Sequence, residues 1–287
     1  EIITTSLSWI ATANAISLNN LKPAFADIDN SLNISHKSIK KLISKNTKAV
    51  LVVNYTGKMC DFDKIKKICK DNKLILIEDC AQSFGASYGK HISGSNGMIS
   101  TFSFNPMKTL GGLGECGAIL TNNLSQFKKL NYLRYNGTVN KEELFEPSLN
   151  CRMDTIQAAF LLEKLKSYKK VLKIRNNNSK IYSKELNGLV ATPMVNSNEK
   201  HSFYTYTILC EKRDELKKYL EKNKIQSAIH YPNPIHLQPA AKYLNYKLGD
   251  FPETENQSKK ILTLPINQYL NESDIDKICN VVNKFFK

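Results

Sequence analysis

The chain has 287 residues, 41% hydrophobic and 23% charged, the balance of a globular protein rather than a disordered one. Its longest apolar runs, such as "AVLVV" and "LILI", are too short to cross a bilayer, and no signal-peptide pattern is present. The net charge of +15 comes almost wholly from lysines on helix faces, with four arginines and no helix-turn-helix, zinc-finger or RNP-type motif, so nucleic-acid binding ranks last among the readings.

The chain opens "EIITTS" without a methionine and reads as a piece of something longer. Apolar runs then alternate with helical patterns. "KPAFADID" reads as a strand, "SHKSIKKLISKN" as a helix, "KAVLVVNY" as a strand, "FDKIKKICKDN" as a helix with Phe62, Ile65, Ile68 and Cys69 inward, and "LILIED" as a strand. Runs without polar alternation are buried on both faces, so a mostly parallel sheet flanked by helices is expected. "MISTFSF" supplies a further apolar segment. From "MDTIQAAFLLEKLKSYKKVLKIRNNNSKIYSKEL" the pattern becomes one or two long helices, followed by strand, helix and strand in "FYTYTIL", "RDELKKYLEKN" and "IQSAIHY". "SDIDKICNVVNKFF" closes the chain as a helix burying Ile275, Ile278, Val282 and Phe285. This gives a large α/β domain over residues 1–169 and a small C-terminal α+β domain over 170–287.

Cysteines at 60, 69, 80, 116, 151, 210 and 279 form no C-x-x-C pair and have no histidine at ligand spacing. No metal site and a reduced, cytoplasmic protein are expected.

Ligands of open α/β sheets collect at the carboxyl ends of the strands. Asp79 ends "LILIED", with Gln82 three residues on, and Ser103 and Lys108 follow the next apolar segment within "FSFNPMKTLGGLGECGAIL". A lone lysine near Gly111, Gly112, Gly114 and Gly117 is a weak motif and is equally a surface cation at a bend. The constellation is more pointed. Pyridoxal phosphate (PLP) requires a lysine amine to hold it as a Schiff base and a carboxylate to keep its ring nitrogen protonated. Lys108 suits the first task and Asp79 the second.

With these residues in view, the chain resembles the DegT/DnrJ/EryC1 family of PLP-dependent sugar aminotransferases. The likeness is carried in order by "SLSWIATANAI", "KPAFADID", "LILIEDCAQSFGASYGK", "FSFNPMKTLGGLGECGAILTNN", "SLNCRMDTIQAA", "IHYPNPIHLQP" and "GDFPETE", nearly the whole chain. It implies the fold of type I PLP-dependent transferases, the aspartate aminotransferase-like fold. It also implies transamination of a nucleotide-linked ketosugar, with glutamate as amino donor, in polysaccharide or other amino-sugar biosynthesis. A cyclitol or another small ketone as substrate, and a non-catalytic binding or regulatory role, stay open. Lys108 argues against the related sugar dehydratases, which carry histidine there.

The resemblance assigns roles position by position. Lys108 is the catalytic, PLP-bearing lysine, Asp79 the partner of the pyridine nitrogen, and Gln82 the neighbour of the phenolic oxygen. Ser103 binds the cofactor phosphate and Trp9 stacks on the ring; by itself Trp9 reads as a buried core anchor. Asn150 reaches the phosphate of a neighbouring subunit, implying a homodimer with shared sites. His230 and His236 belong to the substrate side. The glycines after Lys108 are expected to permit close approach and positive φ beneath cofactor and substrate. Departures are Glu115-Cys116 where a glycine pair is usual, and Lys58-Met59 where glutamine and proline are common. In the family, an N-terminal segment with a Gly-Thr stretch holding the phosphate stands ahead of the position that residue 1 matches.

Overall fold

A computed structural model describes residues 1–287. Its centre is a six-stranded sheet of β1 (Ile2–Thr5), β2 (Pro23–Ala26), β3 (Ala49–Val53), β4 (Ile75–Asp79), β5 (Ile99–Ser103) and β6 (Gly117–Leu120), ordered β2-β1-β3-β4-β5-β6. All neighbours are parallel except β6, which runs antiparallel to β5 at the edge. Ile3, Val50 and Val52 are fully buried, as a strand covered on both faces requires.

Seven-residue α1 (Ala11–Ser17) follows β1. Helix α2 (His36–Leu42) starts where the Ser35 hydroxyl accepts from Ser38 N–H, and α3 (Phe62–Asp71) where the Asp61 carboxylate accepts from Lys64 N–H. The helix α3 buries Phe62, Ile65, Ile68 and Cys69, the stripe expected from its spacing, against β2 and β3 residues such as Ala24, Val50 and Val52. Helix α4 (Leu124–Leu133) lies on the surface with no buried residue.

The long helical pattern is one uninterrupted helix, α5 (Thr155–Glu185), of 31 residues, which at 1.5 Å per residue spans about 46 Å. Its last turns join a second core with β7 (Tyr206–Leu209), α6 (Arg213–Lys222), β8 (Ile261–Leu264) and α8 (Glu272–Phe286). There Tyr182, Tyr206, Leu216, Leu264, Ile275 and Val282 pack together. Strands β7 and β8 form an antiparallel ribbon. Helix α7 (Pro252–Ser258) returns to the main sheet, where Thr254 N–H and Oγ1 donate to the Asp27 carboxylate.

One element differs from expectation and one was not assigned from the sequence. "IQSAIHY" is not a strand: only Ala228 pairs, with Thr263, before the chain turns away toward Pro232 and Pro234. The partner of β7 is instead β8, within "ILTLP". Strand β1, in the opening "EIITTS", is an interior strand between β2 and β3. No helix is long and apolar enough to cross a membrane, and no cluster of His, Cys, Asp or Glu is arranged to hold a metal ion.

Candidate active site

The carboxyl ends of β1, β4 and β5 lie on one edge of the sheet and deliver Trp9, Asp79 and Ser103 to the same side, because these strands run parallel. Asp79 is recessed at the end of β4. Its Oδ2 accepts from Thr12 Oγ1 at 2.9 Å and its Oδ1 from Ala81 N–H at 3.1 Å. Burial pushes its pKa up, while these hydrogen bonds and the Lys108 ammonium oppose the rise.

Lys108 sits in the turn after β5. Asn105 braces that turn: its carbonyl accepts from Lys108 N–H at 2.8 Å, its Oδ1 accepts from Met107 N–H at 2.8 Å, and its Nδ2 donates to Glu115. Lys108 Nζ lies 4.6 Å from the centroid of the Tyr204 ring. Burial holds its pKa below the ordinary lysine value, against the pull of Asp79 and Glu115. A lysine that gives up its proton more readily is a better nucleophile and base near neutral pH.

An open cleft of about 940 Å³ contains Lys108 together with Arg175, Tyr204, His230, Thr263 and Gln268. His230 Nδ1 lies 3.0 Å from Thr263 Oγ1, and burial, then the Lys108 charge, lower its pKa. Trp9 is 54% exposed, so it is not a core anchor. Its ring packs against Tyr231, centroids 5.3 Å apart and planes tilted by 42°.

Gln82 is buried and its Oε1 accepts from Thr56 N–H at 2.7 Å, while its Nε2 makes no hydrogen bond within the chain. Ser103 Oγ accepts from Asn105 N–H at 3.3 Å. Two expected residues stand apart. His236 is 2% exposed, its Nε2 3.1 Å from Glu255 Oε1 and its ring 4.5 Å from Phe251, and it does not line the Lys108 cleft. Its side chain is committed to packing against α7 and the Phe251 that precedes it. Asn150 is exposed, its backbone bridged to Tyr135 and its Oδ1 accepting from Arg152; it faces a different pocket of this subunit.

The glycines after Lys108 have a different reason from the one expected. None of Gly111, Gly112, Gly114 and Gly117 has positive φ. A Cβ at Gly111 would lie 2.5 Å from Pro106 O, and one at Gly112 or Gly114 within 2.9 Å of the Gln157 amide on α5. What crowds these three residues is their own turn and helix α5. Cys116, the departure from a glycine pair, fits with its Sγ 3.4 Å from Phe104 O. Lys58 lies outside the cleft and pairs with Glu199 at 3.0 Å.

Thr12, Tyr204 and Tyr231 escaped the sequence reading as site residues. Thr12 lies in the quoted "SLSWIATANAI", but nothing local in the sequence connects it to a residue 67 positions away. A recessed lysine, a recessed carboxylate, a hydroxyl at a strand end, a half-exposed tryptophan and an amide donor with no partner within the chain form a donor set that suits PLP.

Comparison with known proteins agrees. Residues 1–283 match the model of the DegT/DnrJ/EryC1/StrS aminotransferase family. A "pleiotropic regulatory protein" of Geobacillus stearothermophilus is 35% identical, over 100% of this chain and 78% of that protein. A dTDP-3-amino-3,6-dideoxy-alpha-D-galactopyranose transaminase of Aneurinibacillus thermoaerophilus is 34% identical, over 99% of this chain and 78% of its own. The crystal structure of a DegT DnrJ EryC1 StrS aminotransferase from Brucella abortus superposes with a TM-score of 0.93 at 32% identity, covering 99% of this chain and 79% of that one. The chain belongs to this family of PLP-dependent aminotransferases, and has its fold.

Proposed function

We propose that this member of the DegT/DnrJ/EryC1/StrS family transfers an amino group, with glutamate as donor, to the keto carbon of a nucleotide-linked sugar, in the biosynthesis of a polysaccharide or related amino sugar. The observation that carries the proposal is the recessed Lys108 amine, 4.6 Å from the Tyr204 ring in a cleft large enough for a sugar, in the turn after the strand that pairs with the one ending at Asp79.

PLP supplies an electron sink for a carbanion when its ring nitrogen is protonated. Asp79 would keep that proton in place, its carboxylate aimed by Thr12 and Ala81. Gln82 would offer its Nε2 to the phenolic oxygen, Ser103 its hydroxyl to the phosphate, and Trp9 its ring face. Lys108 would hold the cofactor through its amine and, when that amine is free, would serve as the base that takes the proton from the substrate carbon and the acid that returns it. Tyr204 and its neighbours limit water around the Lys108 amine and favour its neutral form. His230 borders the substrate side of the cleft as a neutral imidazole. His236 holds Glu255 and Phe251 rather than substrate.

Asn150 acts across a homodimer interface on the partner's cofactor, and the division into residues 1–169 and 170–287 belongs to the same proposal. The name of the Geobacillus relative favours a second reading, a regulatory protein on this fold. Incubation with PLP, glutamate and a nucleotide-linked ketosugar separates the two: formation of the amino sugar and 2-oxoglutarate supports the first, and PLP binding without either product supports the second.

A further inference from the structure

Helix α5 runs beside the loop that carries Lys108 and holds it at three points on one helical stripe. Gln157, Lys164 and Tyr168 are spaced by seven and four residues, which at about 3.6 residues per turn keeps them on one face. Gln157 Oε1 accepts from Leu113 N–H at 2.8 Å, and Lys164 Nζ donates to Gly111 O at 2.7 Å. Tyr168 OH donates to Phe84 O at 2.7 Å and, its one proton used, accepts from Thr109 Oγ1 at 2.8 Å. The helix order 157, 164, 168 meets the loop order 113, 111, 109, so the loop runs antiparallel alongside the helix.

The glycines are what make this contact close. A Cβ at Gly112 would meet Gln157 Oε1 at 2.9 Å, and one at Gly114 would meet Gln157 Nε2 at 2.8 Å. Thr109 and Tyr168 are both buried, so the residue directly after Lys108 is fixed by a pair with no water to replace it. Lys164 spends its ammonium on a loop carbonyl rather than on a carboxylate. Farther along α5, Arg175 donates to Phe203 O at 2.7 Å and Ile266 O at 3.0 Å. One rigid element thus ties the Lys108 loop to segments flanking Tyr204 and Gln268 in the same cleft.

We propose that Gln157, Lys164 and Tyr168 are positioning residues for the reaction. They hold the Lys108 backbone so that its amine stays recessed over the Tyr204 ring. This rests on Lys108 being the PLP-bearing lysine.

The test compares the parent with Tyr168→Phe, Lys164→Met and Lys164→Arg, using two readouts. The first is hydrogen exchange of residues 109–113 in the cofactor-free protein. The second is the pH dependence of PLP capture, read as a borohydride-fixed pyridoxyl group on Lys108. Loss of one such bond in Lys164→Met accelerates exchange by about tenfold, and loss of the two made by the Tyr168 hydroxyl in Tyr168→Phe by at least as much; both substitutions move the capture midpoint upward toward that of an ordinary lysine. Lys164→Arg keeps both near the parent values. Lys164 is partly exposed, so its two variants carry the test should Tyr168→Phe not fold. Unchanged exchange, or faster exchange with an unmoved midpoint, overturns the inference while leaving Lys108 its role. Absence of a pyridoxyl group on Lys108 in the parent overturns both.

Discussion

Thr12 Oγ1 donates to Asp79 Oδ2 at 2.9 Å, and Ser8 Oγ lies 3.0 Å from the same Thr12 oxygen. A hydroxyl has one proton, and Thr12 gives its proton to the carboxylate, so Ser8 is the donor to Thr12. The three residues form a short relay from α1 to the end of β4 that favours the ionised form of Asp79.

Thr12→Val removes that donor from a recessed carboxylate, and hydrogen bonds to charged groups contribute about 1.5–3 kcal/mol. PLP affinity is expected to fall on the order of tenfold or more, with Thr12→Ser close to the parent. Spectral titration with PLP measures it, and parent-like affinity in Thr12→Val would remove the relay from the account.

Asp79 also imposes a pH dependence on the cofactor-free protein. Its folded pKa is raised by burial, so between the unfolded value of about 3.9 and the folded one the native state binds more protons than the unfolded chain. Its contribution to stability is therefore greatest at low pH and is lost as pH rises through the folded pKa. Asp79→Asn is expected to be at least as heat-stable as the parent at pH 7 without PLP, yet to lose transamination. A melting temperature several degrees below the parent would show that the carboxylate stabilises the fold instead.

Trp9 is the only tryptophan and is half exposed beside Tyr231. Its emission is therefore a single-site reporter. Titration with PLP is expected to quench most of it, saturating with the occupancy of Lys108. Emission that does not respond while PLP binds places the ring away from the cofactor.

His236 pairs with Glu255 in a buried setting, where leaving an acceptor short of a partner costs about 1–3 kcal/mol. The expectation for His236→Leu is a lower melting temperature with kcat and KM for glutamate unchanged per folded molecule. A raised KM with an unchanged melting temperature would return His236 to the substrate side.

The legible parts of this fold were those written locally. The runs "AVLVV" and "LILIED" showed continuous apolar character because β3 and β4 are covered on both faces, and "FDKIKKICKDN" showed its inward stripe. Strand β1 lacked such a signal: half of "IITT" is threonine, and only pairing with β2 and β3 makes it interior. "IQSAIHY" had the composition of a strand, but β8 occupies the place beside β7.

In the site, the strand-end positions of Asp79 and Ser103 followed from sheet geometry. The partners of Asp79 and Lys108 did not, because Thr12 and Tyr204 approach from 67 residues before the first and 96 after the second. His230 and His236 share a motif seven residues long, and the backbone turns between them send one into the Lys108 cleft and the other into packing against Phe251. The glycine cluster marked close approach correctly; its partner, Gln157, is invisible until α5 is in place.

The central claim is that Lys108, among the many lysines of a strongly basic chain, carries the cofactor. The most direct measurement is incubation with stoichiometric PLP, borohydride reduction, and peptide mass mapping, repeated after prior exposure to glutamate. The account predicts a pyridoxyl group on Lys108 alone, lost when glutamate has first converted the cofactor to its amine form, and absent in Lys108→Met, whose turnover falls by roughly 10³-fold or more. Label spread over surface lysines with Lys108 unmodified, or label on Lys108 that glutamate leaves untouched, would contradict it.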